Sequence, residues 1–159
     1  MLRRTFLSFS CLALPAAAQN YSGPRPPRKD IPYLVHADNL VPTEVTEAKE
    51  QKTKDGITYV IAGANSTART PLASPIFLLQ GDRIEAERLQ LYKLESRGEQ
   101  REITFFEKKK KNNPRPIILE VNRLTSDNLY RLEVDEGLEK GEYSLTPEGS
   151  NQVFCFQVY

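Results

Sequence analysis

The chain has 159 residues, and its 22 lysines and arginines against 21 aspartates and glutamates give a formal net charge of +1 at pH 7. This balance excludes a global electrostatic argument for binding nucleic acid or an anionic membrane, so no nucleic-acid partner is expected. The length is that of one ordinary domain, which can bury a core without disulfides.

The first 18 residues have the pattern of a cleavable export signal. Arg3 and Arg4 precede an apolar run at residues 5–14, which is shorter than the roughly 20 residues that span a bilayer. Pro15 and three alanines at 16–18 follow. Positive, apolar and then small residues are typical of a secretory signal peptide. We expect cleavage after residue 18, an exported protein (periplasmic or extracellular), and no transmembrane segment in the remainder.

The run Arg3-Arg4-Thr5-Phe6-Leu7 resembles a bacterial twin-arginine signal, which implies export in the folded state. A general secretory signal that happens to hold two arginines explains the same residues, so both routes stay open. After cleavage Cys155 is the one remaining cysteine. Its apolar neighbours favour a buried thiol over an intermolecular bridge.

Residues 19–30 are rich in proline and charge, which predicts a flexible tether. A single domain is expected over residues 31–159, with its first strand at 33–37. Residues 44–62 favour a β-hairpin, because ITYVIA at 57–62 is strand-like and follows a Lys-Asp-Gly turn. A helix over the first half of this hairpin stays open, since its Glu, Ala, Lys and Gln are good helix formers.

The rest of the domain alternates short apolar segments with turn signals at a spacing typical of an all-β sandwich or barrel. A short helical turn is possible at 82–88. Strands are expected at residues 76–79, 89–95, 101–106, 116–121, 129–135, 143–145 and 153–159.

The segment LEKGEY, with Leu138, Gly141 and Tyr143, resembles the tyrosine corner of Greek-key sandwiches. The resemblance implies an immunoglobulin-like or fibronectin-type sandwich of about seven to nine short antiparallel strands, in which the tyrosine hydroxyl bonds to nearby backbone. The absence of tryptophan and of a cysteine pair excludes an antibody-type domain. Residues 138–158 also resemble the C-terminal end of small exported bacterial proteins of unknown function.

Two loops contain the candidate binding residues. The lysine loop at 108–114 could grip an acidic protein or an anionic envelope polymer, although lysines in a solvated loop also serve to prevent edge pairing. The loop at 63–75 could hydrogen-bond a sugar or peptide, although its polar residues are also ordinary turn formers. The candidates are Lys108, Lys109, Lys110, Lys111 and Arg115 in the first region, and Ser66, Thr67 and Arg69 in the second.

Residues suited to catalysis or metal binding are few. His36 is the single histidine, and with Asp38 it could form half of a metal site, but no second histidine or cysteine cluster completes one. The carboxylates between Glu85 and Glu136 mostly alternate with lysine and arginine, as on a solvated sheet face. We therefore expect no catalytic residues, no metal and no cofactor.

The sequence does not identify a function. The preferred hypothesis is an exported, non-enzymatic binding or interaction module of the bacterial envelope with an unidentified ligand. The first alternative is a structural or assembly accessory tethered by residues 19–30. The second is a hydrolase that acts on envelope polysaccharide through a carboxylate pair or His36.

Overall fold

A computed structural model describes residues 21–108 and 110–159, so the expected signal peptide and Lys109 lie outside the described residues. Within this part the chain forms thirteen strands in two sheets, with two 3-10 helices of three residues each. The expectation of an all-β fold is confirmed. No helix in the described ranges is long and apolar enough to span a membrane.

The strands outnumber the seven to nine expected, because several have only two to four residues and are separated by short breaks. The strands are β1 (Tyr33–His36), β2 (Asn39–Pro42), β3 (Glu44–Glu47), β4 (Lys49–Lys52), β5 (Gly56–Ala62), β6 (Arg69–Thr70), β7 (Ile76–Gln80), β8 (Leu89–Arg97), β9 (Gln100–Phe106), β10 (Leu119–Arg123), β11 (Leu129–Val134), β12 (Gly141–Pro147) and β13 (Gln152–Val158). The 3-10 helices are Ala86–Arg88 and Lys110–Asn112.

The first sheet has five antiparallel strands in the order β10-β11-β7-β1-β2. Its inner face packs against the second sheet in what we call the sandwich core, where Phe77 lies edge-on to Phe156 with ring centroids 5.0 Å apart. The alternation in β11 places Leu132 and Val134 in this core, as period-two spacing predicts.

The second sheet runs β3-β13-β12-β8-β9-β5-β4, and β6 pairs in parallel with β13. The two ends of this order, β3 and β4, are consecutive in the chain and separated only by Ala48, whose N–H donates to the Asn151 carbonyl at 2.8 Å. One closing segment, residues 44–52, therefore pairs with β13 through its first half and with β5 through its second. The sheet closes into a six-stranded antiparallel barrel, and the helix considered for residues 44–52 is not formed.

The barrel and the sandwich share strands β8, β12 and β13, which are covered on both faces. In β13, Phe154 and Phe156 point into the sandwich core, whereas Val153 and Cys155 point into a second cluster, the barrel core. Burial of both faces explains why this segment is continuously apolar rather than alternating.

The described end of the expected tether lies against the loops of the five-stranded sheet. Asp30 Oδ1 accepts backbone N–H groups of residues 82, 83 and 84 at 2.8–3.0 Å, and Arg25 pairs with Asp127 at 2.9 Å. Burial opposes ionisation of Asp30, but the three backbone donors outweigh it and lower its pKa below the usual value.

The LEKGEY corner has the hydrogen bond that the resemblance implies: the Tyr143 hydroxyl donates to the Glu139 carbonyl oxygen at 2.8 Å. Leu138 is buried, and Gly141 has a φ of +156°, which residues with a side chain rarely adopt. The corner leads into β12 and fixes where this shared strand begins.

Candidate ligand-binding site

The barrel contains an open cavity of about 460 Å³ at one end, here called the mouth cavity. Small-molecule sites typically have about 300–1,000 Å³. Its residues are Ala48, Glu50, Ile57, Tyr59, Ile61, Gln90, Tyr92, Leu94, Ile103, Phe105, Phe106, Glu107, Ser144, Thr146, Pro147, Gly149, Ser150, Asn151 and Val153.

Successive side chains of a strand point to opposite faces of the sheet, so every second residue of these strands points into the barrel. In β5 the inward positions are residues 57, 59 and 61, and in β8 they are residues 90, 92 and 94. Small barrels are normally filled by side chains. Here the large groups of β5, β8 and β9 face small ones on β12 and the closing segment, such as Ser144 and Ala48. The small side chains leave the interior of this end open.

Three aromatic rings form a continuous wall of the mouth cavity. Phe105 stands perpendicular to both neighbours: its ring centroid lies 5.9 Å from that of Tyr59 at 82°, and 5.6 Å from that of Tyr92 at 89°. Phe106 lines the cavity beside them. The Tyr92 hydroxyl donates to Gln90 Oε1 at 3.1 Å. Burial, with the negative charge of Glu148, raises the pKa of Tyr92, so this hydroxyl remains protonated at neutral pH.

The polar groups of the cavity lie among these apolar walls and at its rim. Ser144 and Thr146 come from β12, and Ser150 and Asn151 from the β12–β13 turn. Among the side chains that the structure describes, the charged ones lining the cavity are Glu50 and Glu107, and both are acidic. The mouth cavity thus combines an aromatic wall with two carboxylates.

The other end of the barrel is closed by a buried ionic cluster, the polar end, centred on Arg101. This side chain is 0% exposed, and it contacts Glu44 Oε1 at 2.7 Å and Glu142 Oε2 at 3.7 Å. Its guanidinium also donates to the carbonyl oxygens of residues 62 and 63, both at 2.8 Å. These contacts join the closing segment, β12, β9 and the chain after β5 inside the barrel.

The partners of Arg101 keep its guanidinium group charged. Burial acts to lower the pKa of Arg101, but the hydrogen bond that Arg101 donates to Glu44 and the negative charges of Glu44 and Glu142 outweigh burial and raise it. The carboxylate of Glu142 is 2% exposed, and its Oε1 has no hydrogen-bond partner among the described residues. The polar end is therefore a structural charge cluster with one unused acceptor.

The loop residues proposed from sequence divide between interior and surface. Ser66 is buried: its hydroxyl donates to Glu142 Oε2 at 2.5 Å and accepts from Arg101 at 2.6 Å. The backbone N–H of Thr67 donates to Glu44 Oε2 at 2.8 Å. Arg69 is exposed and lies 4.5 Å above the ring of Tyr159. This loop covers the polar end, away from the mouth cavity.

The lysine loop starts where β9 ends, next to the mouth. Asn113 fastens the loop to β9, since the Phe106 N–H donates to its Oδ1 at 2.6 Å and its Nδ2 donates to the Phe106 carbonyl at 3.2 Å. Lys108, Lys111 and Arg115 are exposed and do not line the mouth cavity. Lys110 belongs to the short helix after β9, and Lys109 is outside the described residues.

The histidine and cysteine have different surroundings. His36 is half-buried at the β1–β2 turn, and its Nε2 has no hydrogen-bond partner in the described part of the chain. No group of three or more potential metal ligands occurs among the described residues. Cys155 is a buried free thiol, as predicted. Burial raises its pKa to about 12, which keeps it protonated and unreactive at neutral pH.

The mouth cavity and the polar end were not predicted from sequence. Their signals are present as period-two positions: apolar and aromatic residues at 57, 59, 61, 103 and 105, with Arg101 in the same register. Only closure of the barrel brings these positions to one interior. Comparison of the chain with protein-family models, with curated proteins and with solved structures finds no match.

Proposed function

We propose that this protein is a non-enzymatic binding module that holds a small molecule with an apolar body in the mouth cavity. The observation that carries the proposal is the open cavity of about 460 Å³ inside an otherwise closed barrel. Interiors of folded proteins are normally packed without voids of this size. A cavity with aromatic walls and a few polar groups is the usual form of a ligand site.

The closed sheet determines where a ligand could be recognised. Within the barrel, β8 and β9 pair with each other only through residues 95–97 and 100–102, and they separate toward the mouth cavity. Both strands line the cavity where they are separate. The proposed module therefore binds its ligand inside the barrel at this opening. Location in the bacterial envelope is part of the proposal and rests on the signal-like first 18 residues.

We further propose that the region from β6 onward is an immunoglobulin-like sandwich to which the N-terminal strands were added. The neighbours β10-β11-β7 facing β13-β12-β8-β9, and the parallel pairing of β6 with β13, support this relationship. The hydrogen bond of Tyr143 in the corner supports it as well. In this view the added strands complete the barrel and so create the site.

The test measures binding of the neutral apolar dye N-phenylnaphthylamine, whose emission rises in an apolar site. We expect binding to the unaltered protein and a loss of about tenfold or more in affinity for Thr146→Trp, because the indole occupies the cavity. Gln51→Trp is the matched control, since residue 51 is exposed in β4, next to Glu50, and does not line the cavity. No dye binding by the unaltered protein, or equal binding by Thr146→Trp, would contradict the proposal.

A further inference from the structure

We infer that the ligand of the mouth cavity is an organic cation whose positive charge is covered by apolar groups, such as a quaternary ammonium. This inference rests on the proposed function, because it assigns a ligand class to the same cavity. It combines two separate observations, the aromatic wall and the sign of the charges that line the cavity.

The aromatic wall suits a cation with an apolar surface. Aromatic rings have a negative face, and a cation within about 6 Å of a ring centroid is attracted to it, more strongly where water is excluded. Tyr59, Phe105 and Tyr92 are neighbours with centroid separations of 5.9 and 5.6 Å. All three rings line the cavity, so a rounded head group can contact more than one of them at once.

The charges lining the cavity have the sign that a cation needs. Glu50 comes from the closing segment, and Glu107 follows the end of β9. Each is exposed at the rim, where its carboxylate can face a bound ligand without a large cost of burial. An anion that entered the cavity would meet both carboxylates, whereas Lys108 and Lys111 are exposed outside the lining.

The remaining polar groups complement this assignment. The hydroxyls of Ser144 and Thr146 and the amide of Gln90 can accept or donate hydrogen bonds to an uncharged part of the ligand. A quaternary ammonium has no N–H groups, so it requires no acceptors within the aromatic wall. The lining therefore favours a quaternary ammonium over a primary amine.

The experiment compares three probes with eight-carbon chains in displacing N-phenylnaphthylamine: octyltrimethylammonium, octanol and octanoate. We expect the cation to bind about tenfold tighter than octanol and tighter still than octanoate. Its advantage should shrink as salt is added, because the rim carboxylates are exposed.

Two variants assign the effect to the named groups. Glu50→Gln with Glu107→Gln should reduce the advantage of the cation over octanol to about threefold, because the exposed carboxylates are removed and the rings remain. Glu99→Gln with Glu136→Gln is the matched control: both residues are exposed and away from the cavity, and the net charge changes equally. Phe105→Leu keeps an apolar wall but removes the central ring, and should also reduce the advantage of the cation.

The outcomes separate this inference from the proposed function. Dye binding with equal displacement by all three probes, or strongest displacement by octanoate, overturns the cation assignment and leaves the cavity as a binding site. Absence of dye binding overturns the proposed function itself. A cation preference that the Glu50 and Glu107 variant leaves intact overturns the role assigned to these carboxylates.

Discussion

At the scale of single residues, the barrel depends on a charged side chain in its interior. Arg101 neutralises Glu44 and Glu142 while also donating to the backbone carbonyls of Ala62, the last residue of β5, and of Gly63 after it. Buried ion pairs often contribute little net stability compared with apolar residues, but removal of one partner leaves an uncompensated buried charge. The arrangement is therefore far more sensitive to loss of the arginine than an exposed ion pair would be.

We predict that Arg101→Leu lowers the free energy of unfolding by about 3–5 kcal/mol, because two carboxylates lose their counterion inside the barrel. Arg97→Leu is the control, since Arg97 is exposed and pairs with Glu95 and Glu102. Its effect should be about 1 kcal/mol or less. Urea unfolding followed by tyrosine emission measures both. Similar losses for the two variants would show that the polar end is not a stabilising cluster.

At the scale of elements, the closing segment and the β4–β5 hairpin give the barrel its shape. The segment pairs with β13 before Ala48 and with β5 after it, so one stretch of chain seals the sheet. Gly56, at the start of β5, lies opposite Phe106 in β9. A Cβ atom built at Gly56 would be 2.0 Å from the carbonyl oxygen of Phe105. This close approach requires glycine and sets the position of two aromatic residues of the mouth cavity.

We predict that Gly56→Ala lowers the free energy of unfolding by about 1–3 kcal/mol, because the backbone of β9 must move to admit the methyl group. It should also weaken dye binding, since Phe105 and Phe106 shift with that backbone. Gly137→Ala is the control: no atom lies within 4 Å of its added Cβ, and its effect should stay within about 0.5 kcal/mol. Chemical denaturation and dye titration of both variants provide the measurement. Equal behaviour of the two would contradict the steric argument.

At the scale of the whole molecule, two cores share one set of strands. The sandwich core holds Leu132, the barrel core holds Ile61, and β8, β12 and β13 contribute side chains to both. If one core lost its packing, the shared strands would be left without support on one of their two faces. The described part of the chain should therefore unfold as a single cooperative unit.

We predict that Leu132→Ala and Ile61→Ala each lower the free energy of unfolding by about 2–5 kcal/mol. Both variants should shift the same unfolding transition, which is followed by far-ultraviolet circular dichroism and by tyrosine emission. Coincident curves in the unaltered protein and in both variants are the expected result. A variant in the barrel core that separates the two curves would mean that barrel and sandwich unfold independently.

The amino-acid sequence by itself determined the all-β class, the position of most strands and the buried state of Cys155. These features follow from local alternation, turn residues and continuous apolar runs, which short windows of sequence contain. The strand character of residues 44–52 was less clear, because their composition favours a helix although they have no apolar stripe at helical spacing. In the barrel, alternate residues such as Ala48 and Glu50 point inward, and pairing on both sides outweighs intrinsic propensity.

Only the tertiary structure decided that the second sheet closes, and with it the candidate site. The mouth cavity takes residues from the closing segment and from five strands, and Arg101 meets partners 57 and 41 positions away in the chain. No local pattern encodes such pairings, because a strand shows the same alternation of side chains whether it lies at the edge of an open sheet or within a closed barrel. The lysine loop contains the most concentrated charge in the sequence, but the mouth cavity lies beside this loop. The cavity forms where small side chains of β12 face large ones of β5, β8 and β9.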